Sequence, residues 1–142
     1  MDSYQISLEI SRTQDRLSAA QSRLSSLCKN KADVEDLSRK HSSMRTLVAS
    51  DMEARARRLD TATIDPLKVR SFAAYKTAMQ GKLANGQRLV SSMDDATTRI
   101  NRAIDDIDQE IAAESRSCDS IESEISALRV KYNNAKVLEA AL

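Results

Sequence analysis

Clustered carboxylates are the residues of this sequence that could most readily form a functional site, because several carboxylates together can bind a divalent cation. They lie close together in the second half of the 142-residue chain: Asp94, Asp95, Asp105, Asp106, Asp108 and Glu110. Neighbouring residues of a helix point to different faces, so these adjacent side chains would not converge on one ion. We therefore interpret the cluster as a solvated helix face and predict no metal site.

A catalytic base is no better supported. His41 is the only histidine, and it lies on the apolar side of a predicted helix, with no cysteine or carboxylate at ligand spacing. The chain has no glycine-rich phosphate loop, no G-x-S-x-G motif and no metalloprotease helix motif. We predict that His41 is a core or interface residue and that the protein is not an enzyme, with no catalytic residue and no cofactor.

Three arginines, Arg55, Arg57 and Arg58, form a basic cluster that could contact phosphate or an acidic partner. The alanines between them give no aromatic stacking platform of the kind that single-strand nucleic-acid binders use. The net charge of the whole chain is only +1, so we expect no nucleic-acid binding. A solvated helix face is the simpler interpretation of this cluster, and contact with an acidic partner is the alternative.

Long helices must position these side chains. One Pro, two Gly and no Trp in 142 residues are typical of helical proteins. In the second half of the chain, mostly apolar or small residues recur at alternating spacings of four and three, which is the seam of a helix packed along another helix. Its members are Ile100, Ile104, Ile107, Ile111, Glu114, Cys118, Ile121, Ile125, Leu128 and Tyr132.

The first half of the chain has a comparable seam with polar interruptions, which in coiled coils fix register and partner choice. Its members are Ile6, Ile10, Thr13, Leu17, Ala20, Leu24, Leu27, Lys31, Val34, Leu37, His41, Met44, Val48, Met52, Arg55 and Leu59. Asp2, followed three residues later by Gln5, approximates a capping box at the start of this helix.

A chain reversal is predicted between the two seams. Thr61 to Ile64 are poor for helix continuation, Asp65 is a good N-cap, and Pro66 suits the first position of a helix. The sequence therefore predicts a single all-α domain, a long antiparallel, coiled-coil-like helical hairpin over residues 1–142. We expect helix 3–60, turn 61–65, helix 66–134 and tail 135–142.

Glycines mark a weak point in the second helix. Each interior glycine costs about 1 kcal/mol relative to alanine, and two of them, Gly81 and Gly86, lie close together. We therefore expect a bend or a short break near Gly81 to Gly86.

Charge is distributed unequally between the two halves. Residues 91–126 carry ten acids against three bases, a net charge of -7, whereas residues 29–58 carry eight bases against five acids, a net charge of +3. A hairpin places these segments side by side. We expect the asymmetry to contribute more to steering and register than to stability, because exposed ion pairs contribute little.

The position of the reversal predicts which residues face each other. If it centres near residue 63, the numbers of facing residues add up to about 126. Cys28 and Cys118 would then lie on the order of 30 Å apart, which excludes a disulfide, and each is expected to be a small buried hydrophobe. Ile125, Leu128 and Tyr132 would extend past the start of the first helix. We predict that this exposed apolar stripe docks against another chain.

Several local features together resemble a known family. They are a first helix led by Tyr4, the run LSAAQSRLSSL from Leu17 to Leu27, aromatic residues at Phe72 and Tyr75, and a final helix of the form IxxAIxxIxxEI. This layout resembles the small helical-hairpin (WxG-like) proteins of Gram-positive type VII secretion, in particular the small helical partners that accompany LXG toxins.

Two family motifs are missing from this sequence. The Trp-x-Gly turn is absent, and its nearest placement is Val69-Arg70-Ser71. The Tyr-x-x-x-Asp/Glu export signal is also absent, since Tyr132 is followed four residues later by Lys136.

The resemblance implies a non-catalytic, targeting or chaperone-like protein. Its partners would be the helical N-terminal domain of a toxin and a further small helical protein. The candidate partner-binding residues are Phe72, Tyr75, Ile125, Leu128 and Tyr132. The alternative is a structural coiled coil, either a homodimeric rod or a scaffold segment. A weaker third interpretation, a membrane-remodelling helical domain, would require a one-sided basic surface that is not evident here.

The sequence also predicts where the protein is made. No run of 18 apolar residues occurs, and the first residues lack the basic and apolar regions of a signal peptide. We expect a soluble protein made in the cytoplasm without membrane insertion. The resemblance further implies that the protein is secreted by a route that does not need a signal peptide.

Overall fold

Two long helices make up the part of the chain that the computed structural model describes, which is residues 2–60 and 69–142, with side chains in the second segment from residue 73. Helix α1 spans Ser3–Asp60 and helix α2 spans Val69–Ala141. The helices pack against each other, so the predicted all-α hairpin is confirmed. The predicted turn at 61–65 and the Asp65-Pro66 cap lie outside the described residues.

The start of α1 is fixed by the capping box that the sequence predicts. The backbone N–H of Gln5 donates to Asp2 Oδ1 at 2.8 Å, and the backbone N–H of Asp2 donates to Gln5 Oε1 at 3.3 Å. These two bonds satisfy amide groups that have no partner inside the helix. The predicted helix bounds of 3–60 are confirmed.

Helix α2 is longer than predicted. It continues through Gly81 and Gly86 without interruption, so no break occurs there, and it ends at Ala141 instead of near residue 134. The expected tail 135–142 is therefore helical up to Ala141. Its residues are mostly good helix formers without Gly or Pro. Near its end, the Glu139 carboxylate accepts hydrogen bonds from the Ser3 backbone N–H at 2.9 Å and from Ser3 Oγ at 2.7 Å.

The single predicted domain divides into two compact units, each built from both helices. Unit 1 comprises Met1–Asp33 and Ile104–Leu142, and unit 2 comprises Val34–Ala103. Unit 1 contains a narrow core in which partly buried Leu17 and Leu24 pack against four buried residues, Ala20, Cys118, Ile121 and Ile125. A two-helix seam of this kind buries a stripe and leaves most of each helix in water.

Ion pairs between the helices define their register. Each joins a base of α1 to an acid of α2: Arg16 with Glu124, Arg23 with Glu114, Lys31 with Asp108, and Arg45 with Asp94. The numbers of these facing residues add up to about 139, so the predicted value of about 126 is wrong. The difference is about two heptads. Sliding a helix by whole heptads keeps seam positions opposite seam positions, so the spacing of the seam alone does not select the register.

The corrected register covers the C-terminal seam residues. Ile125 and Leu128 are buried, with 5% and 7% of their surface exposed, and Tyr132 is half-buried. The exposed stripe predicted at these three residues is therefore wrong, because α1 reaches about two heptads further along α2 than expected. Their burial removes the argument that assigned them to partner binding.

Unit 2 departs from the predicted seam of α1. Leu37 and Met44 are 54% and 59% exposed, although both were predicted to face α2. The residues that follow them, Ser38 and Arg45, are half-buried instead. Leu37 and Met44 lie three residues after Val34 and His41, and positions 38 and 45 lie four residues after them. Both spacings fit a helix, so the sequence pattern allows either pair to face α2. The Arg45 ion pair with Asp94 favours the observed orientation of the helix.

The two cysteines have different environments. Both are free thiols, but Cys28 is exposed and Cys118 is buried. The prediction that both are buried is therefore correct only for Cys118. With the observed register, their separation along the helix axes is on the order of 10 Å, well below the distance first expected.

Candidate functional site

Unit 2 contains an open groove of about 440 Å³. It lies between the last two turns of α1 and the part of α2 from Tyr75 to Leu83. Four apolar side chains form much of its wall: Met52, Leu59, Met79 and Leu83. The aromatic ring of Tyr75 completes the apolar part. Such a groove is concave and lined by flexible hydrophobic side chains, which suits an apolar partner surface.

The charged side chains of this groove are all basic. Arg55, Arg58 and Lys82 contribute to its lining, and no acidic residue does so among the residues that the structure describes. Arg55 Nε pairs with Asp51 Oδ2 at 3.0 Å, and Arg58 Nε donates to the Ala54 carbonyl oxygen at 3.4 Å. The groove therefore combines apolar walls with an excess of positive charge.

Met52, which lines the groove, also makes a close contact between the two helices. The Met52 thioether lies against Gly86, where a Cβ on the glycine would come within 3.2 Å of Met52 Cγ and Cε and closer still to the sulfur. The absence of a side chain at this position is therefore what admits Met52. Around Gly81, by contrast, a Cβ would meet nothing within 4 Å.

Two lines of exposed side chains extend from this groove. On α1, Leu37, Met44, Asp51 and Arg58 follow each other at seven-residue spacing. On α2, Tyr75, Lys82 and Leu89 have the same spacing. Residues seven apart share a helix face. Because Arg58, Tyr75 and Lys82 line one groove, both lines border the same side of unit 2. We call this surface the lateral face: Leu37, Met44, Arg58, Tyr75, Lys82 and Leu89.

The lateral face is rich in exposed apolar surface. Leu37, Met44, Tyr75 and Leu89 are each between 52% and 59% exposed. Single exposed apolar side chains are ordinary, but several of them along one side of a two-helix seam form a surface against which a further helix could pack. These positions flank the seam between the helices, where a third helix would pack against both.

The structure brings together only part of the predicted partner-binding set. Tyr75 lies on the lateral face, and the side chain of Phe72 lies outside the described residues. Ile125, Leu128 and Tyr132 belong to unit 1. Sequence reasoning missed Lys82 and Leu89, although their seven-residue spacing from Tyr75 was a readable signal.

Several of the residues considered for chemistry have structural partners. His41 Nε2 lies 2.7 Å from the Met93 carbonyl oxygen, which makes Nε2 the donor and places the imidazole between the helices. Asp94 and Asp108 form ion pairs with Arg45 and Lys31. In the part of the chain that the structure describes, no three His, Cys, Asp or Glu residues are grouped to hold a metal ion.

Neither helix contains, over its described residues, a stretch long and apolar enough to cross a membrane. Compared with known proteins, the chain matches no family model, no curated protein and no solved structure.

Proposed function

We propose that this protein is a non-catalytic helical partner protein that binds a helix of another protein on its lateral face. The observation that carries the proposal is a row of exposed apolar side chains along one side of unit 2, with Leu37 and Met44 on α1 and Tyr75 and Leu89 on α2, and the apolar groove that Tyr75 lines at one end of this row. A helix laid along this row would contact both helices of the hairpin and cover these side chains.

The identity of the partner follows from the resemblance of the sequence to the small proteins of type VII secretion. On this basis the bound helix belongs to the helical N-terminal domain of an LXG-type toxin, and the protein acts in targeting that toxin to the secretion apparatus. A second small helical protein in the same complex and export of this chain itself belong to the same proposal.

Two matched pairs of substitutions test this function. Tyr75→Ser and Leu89→Ser together remove apolar contacts from the lateral face. Val130→Ser and Val137→Ser are the control, because these valines are 59% and 69% exposed on the same helix but in unit 1. Circular dichroism checks that both variants keep the helical content of the unchanged protein.

The binding assay is co-purification with the helical N-terminal domain of a candidate LXG-type toxin that is co-expressed with this protein. We expect the lateral-face variant to lose the toxin domain and the control variant to retain it. Retention of the toxin by both variants would contradict the proposal. Light scattering of the protein alone tests the homodimeric rod: a dimer that the lateral-face variant abolishes, with no toxin binding by the unchanged protein, would favour self-association.

A further inference from the structure

We infer that the Met52 thioether is a site of oxidation by peroxides, and that its conversion to the sulfoxide loosens the packing of the two helices in unit 2. The contact of Met52 with Gly86 carries this inference. Because both residues belong to this chain, the effect requires no partner and is independent of the proposed function.

Thioethers are distributed unequally between the two units. Every methionine whose side chain the structure describes belongs to unit 2: Met44, Met52, Met79 and Met93. Met44 is exposed, and the other three are half-buried. Oxidation of methionine turns a flexible apolar side chain into a polar one. A peroxide that reaches these thioethers therefore acts on the apolar packing of unit 2 rather than on the core of unit 1.

Met52 is accessible from two sides. It lines the groove beside Tyr75 and also a second open groove of about 430 Å³, which Ala49 and Ala56 help to line. In a helix with about 3.6 residues per turn, Arg55 and Ala56 lie on opposite sides of Met52, and each lines a different groove. The two grooves therefore open on opposite sides of the seam. A molecule as small as hydrogen peroxide can approach the thioether through either one.

The reaction is the transfer of one oxygen atom with two electrons. A lone pair of the Met52 sulfur attacks one oxygen of hydrogen peroxide, so that an S–O bond forms and the O–O bond breaks. The departing hydroxide takes up the proton of the transferred oxygen, and the products are methionine sulfoxide and water. The sulfur is oxidised, the peroxide is reduced, and no further reactant is needed.

The sulfoxide does not suit the place that the thioether occupies. Met52 packs against Gly86 in the space that a side chain would fill, and Gly86 lies inside the continuous helix α2. Amide groups in the middle of a helix already donate to carbonyl groups of the same helix, so none is free to bond the sulfoxide oxygen. A polar oxygen without a hydrogen bond is unfavourable between the helices, whereas either groove admits water. The oxidised side chain therefore moves away from Gly86 into a groove.

Unit 2 has little other apolar packing to compensate for the lost contact. Among the described side chains, Leu59 is its only buried apolar residue. The seam of α1 in this unit also includes the polar side chains of His41 and Arg45, which bond to α2. Oxidation of Met52 should therefore increase the rate at which unit 2 opens, while unit 1 remains unaffected.

Hydrogen exchange of the full chain before and after peroxide treatment tests this inference. All proteins carry Cys28→Ser, which removes the exposed thiol as a second target, and peptide mapping by mass spectrometry measures the sulfoxide at each methionine. We expect oxidation of Met52 and at least about tenfold faster amide exchange around Met52 and Gly86. Exchange in the core of unit 1 around Ile121 should not change. Methionine sulfoxide reductase should restore the slow exchange.

A matched pair of substitutions assigns the effect to one residue. Met52→Leu removes the sulfur and nearly conserves the volume of the side chain, whereas Met44→Leu removes an exposed sulfur from the same helix. Peroxide should no longer accelerate exchange in the Met52→Leu protein, and it should still do so in the Met44→Leu protein. Met52→Gln places a polar group at the contact and should show the fast exchange without peroxide.

Three results would overturn the inference. Met52 could stay reduced under peroxide that oxidises Met44, or its oxidation could leave the exchange of unit 2 unchanged. Equal acceleration in the Met52→Leu protein would assign the effect to Met79 or Met93 instead. If the Met52→Leu protein exchanges rapidly before treatment, the Met52→Gln protein decides, because slow exchange there would show that a polar group is tolerated at this contact.

Discussion

The two units of the molecule use the same pair of helices in different ways. Among the described side chains, six of the seven buried apolar residues belong to unit 1, and Leu59 alone belongs to unit 2. Unit 2 instead places His41 and Arg45 between its helices, and it carries the groove beside Tyr75. Where the seam is apolar, it stabilises the hairpin. Where polar side chains interrupt the seam, as in unit 2, several apolar side chains remain exposed on the outside.

The two units should differ most in the loss of stability when a large apolar side chain is replaced by alanine. Ile125→Ala in unit 1 should destabilise the protein by about 2–5 kcal/mol, because it leaves a cavity in the core beside Ala20 and Cys118. Leu37→Ala in unit 2 should change stability by less than about 0.5 kcal/mol, since the side chain is half-exposed. Urea denaturation measures both values. Similar costs at the two positions would contradict the distinction between the units.

The second prediction concerns the capping box at the start of α1, in unit 1. Asp2→Ala removes the side-chain acceptor of the Gln5 amide bond and should cost about 0.5–2 kcal/mol. Ser7→Ala, at an exposed position one turn later, serves as the control and should be neutral or slightly stabilising, because alanine is the better helix former. Thermal unfolding of the two variants compares them. An unchanged transition for Asp2→Ala would show that this bond contributes little to the helix.

The two glycines of unit 2 offer a closely matched comparison. Gly81→Ala should stabilise the protein by about 0.5–1 kcal/mol, because alanine is the better helix former and nothing occupies the space of its Cβ. Gly86→Ala gains the same propensity but displaces the Met52 thioether. Its net effect should therefore be smaller or destabilising. Equal stabilisation by both changes in urea denaturation would mean that Met52 relocates without loss.

The smallest expected effect is a pH dependence in unit 1. The hydrogen bonds from the backbone and the hydroxyl of Ser3 lower the pKa of the Glu139 carboxyl group below its usual value. A lowered folded-state pKa stabilises the protein above the unfolded pKa, and this stabilisation disappears as the pH falls through the folded value. Glu139→Gln should therefore be less stable than the unchanged protein at pH 7 and indistinguishable from it in strong acid. A difference that persists at low pH would assign the effect to packing.

The sequence predicted the two helices of this fold better than the register in which they pack. The four-three spacing from Ile100 to Tyr132 and the Asp2 cap are local signals, and both agree with the helices observed. The register is not local. A seam that repeats every seven residues looks the same after a shift of two heptads, so Ile125 and Leu128 were assigned to the surface although α1 covers them. The ion pairs that select the register depend on both helices at once.

The candidate site was only partly predictable for a related reason. In the part of α1 that belongs to unit 2, the helical spacing allows either Leu37 or Ser38 to face α2. The ion pair of Arg45 with Asp94 favours Ser38. Tyr75 was singled out as an aromatic residue in a family-like segment. Its position beside Arg58 and Lys82 required the three-dimensional packing of both helices.

Site-specific photo-crosslinking tests the central claim, that the lateral face of unit 2 binds a partner helix. A photoreactive amino acid replaces Leu37 or Leu89 in one set of proteins and Val130 or Val137 in the control set, and each protein is mixed with the toxin's helical domain. We predict crosslinks from positions 37 and 89 to the same helix of the toxin domain and none from positions 130 and 137. Crosslinks only from the control positions would contradict the claim and place the binding surface on unit 1.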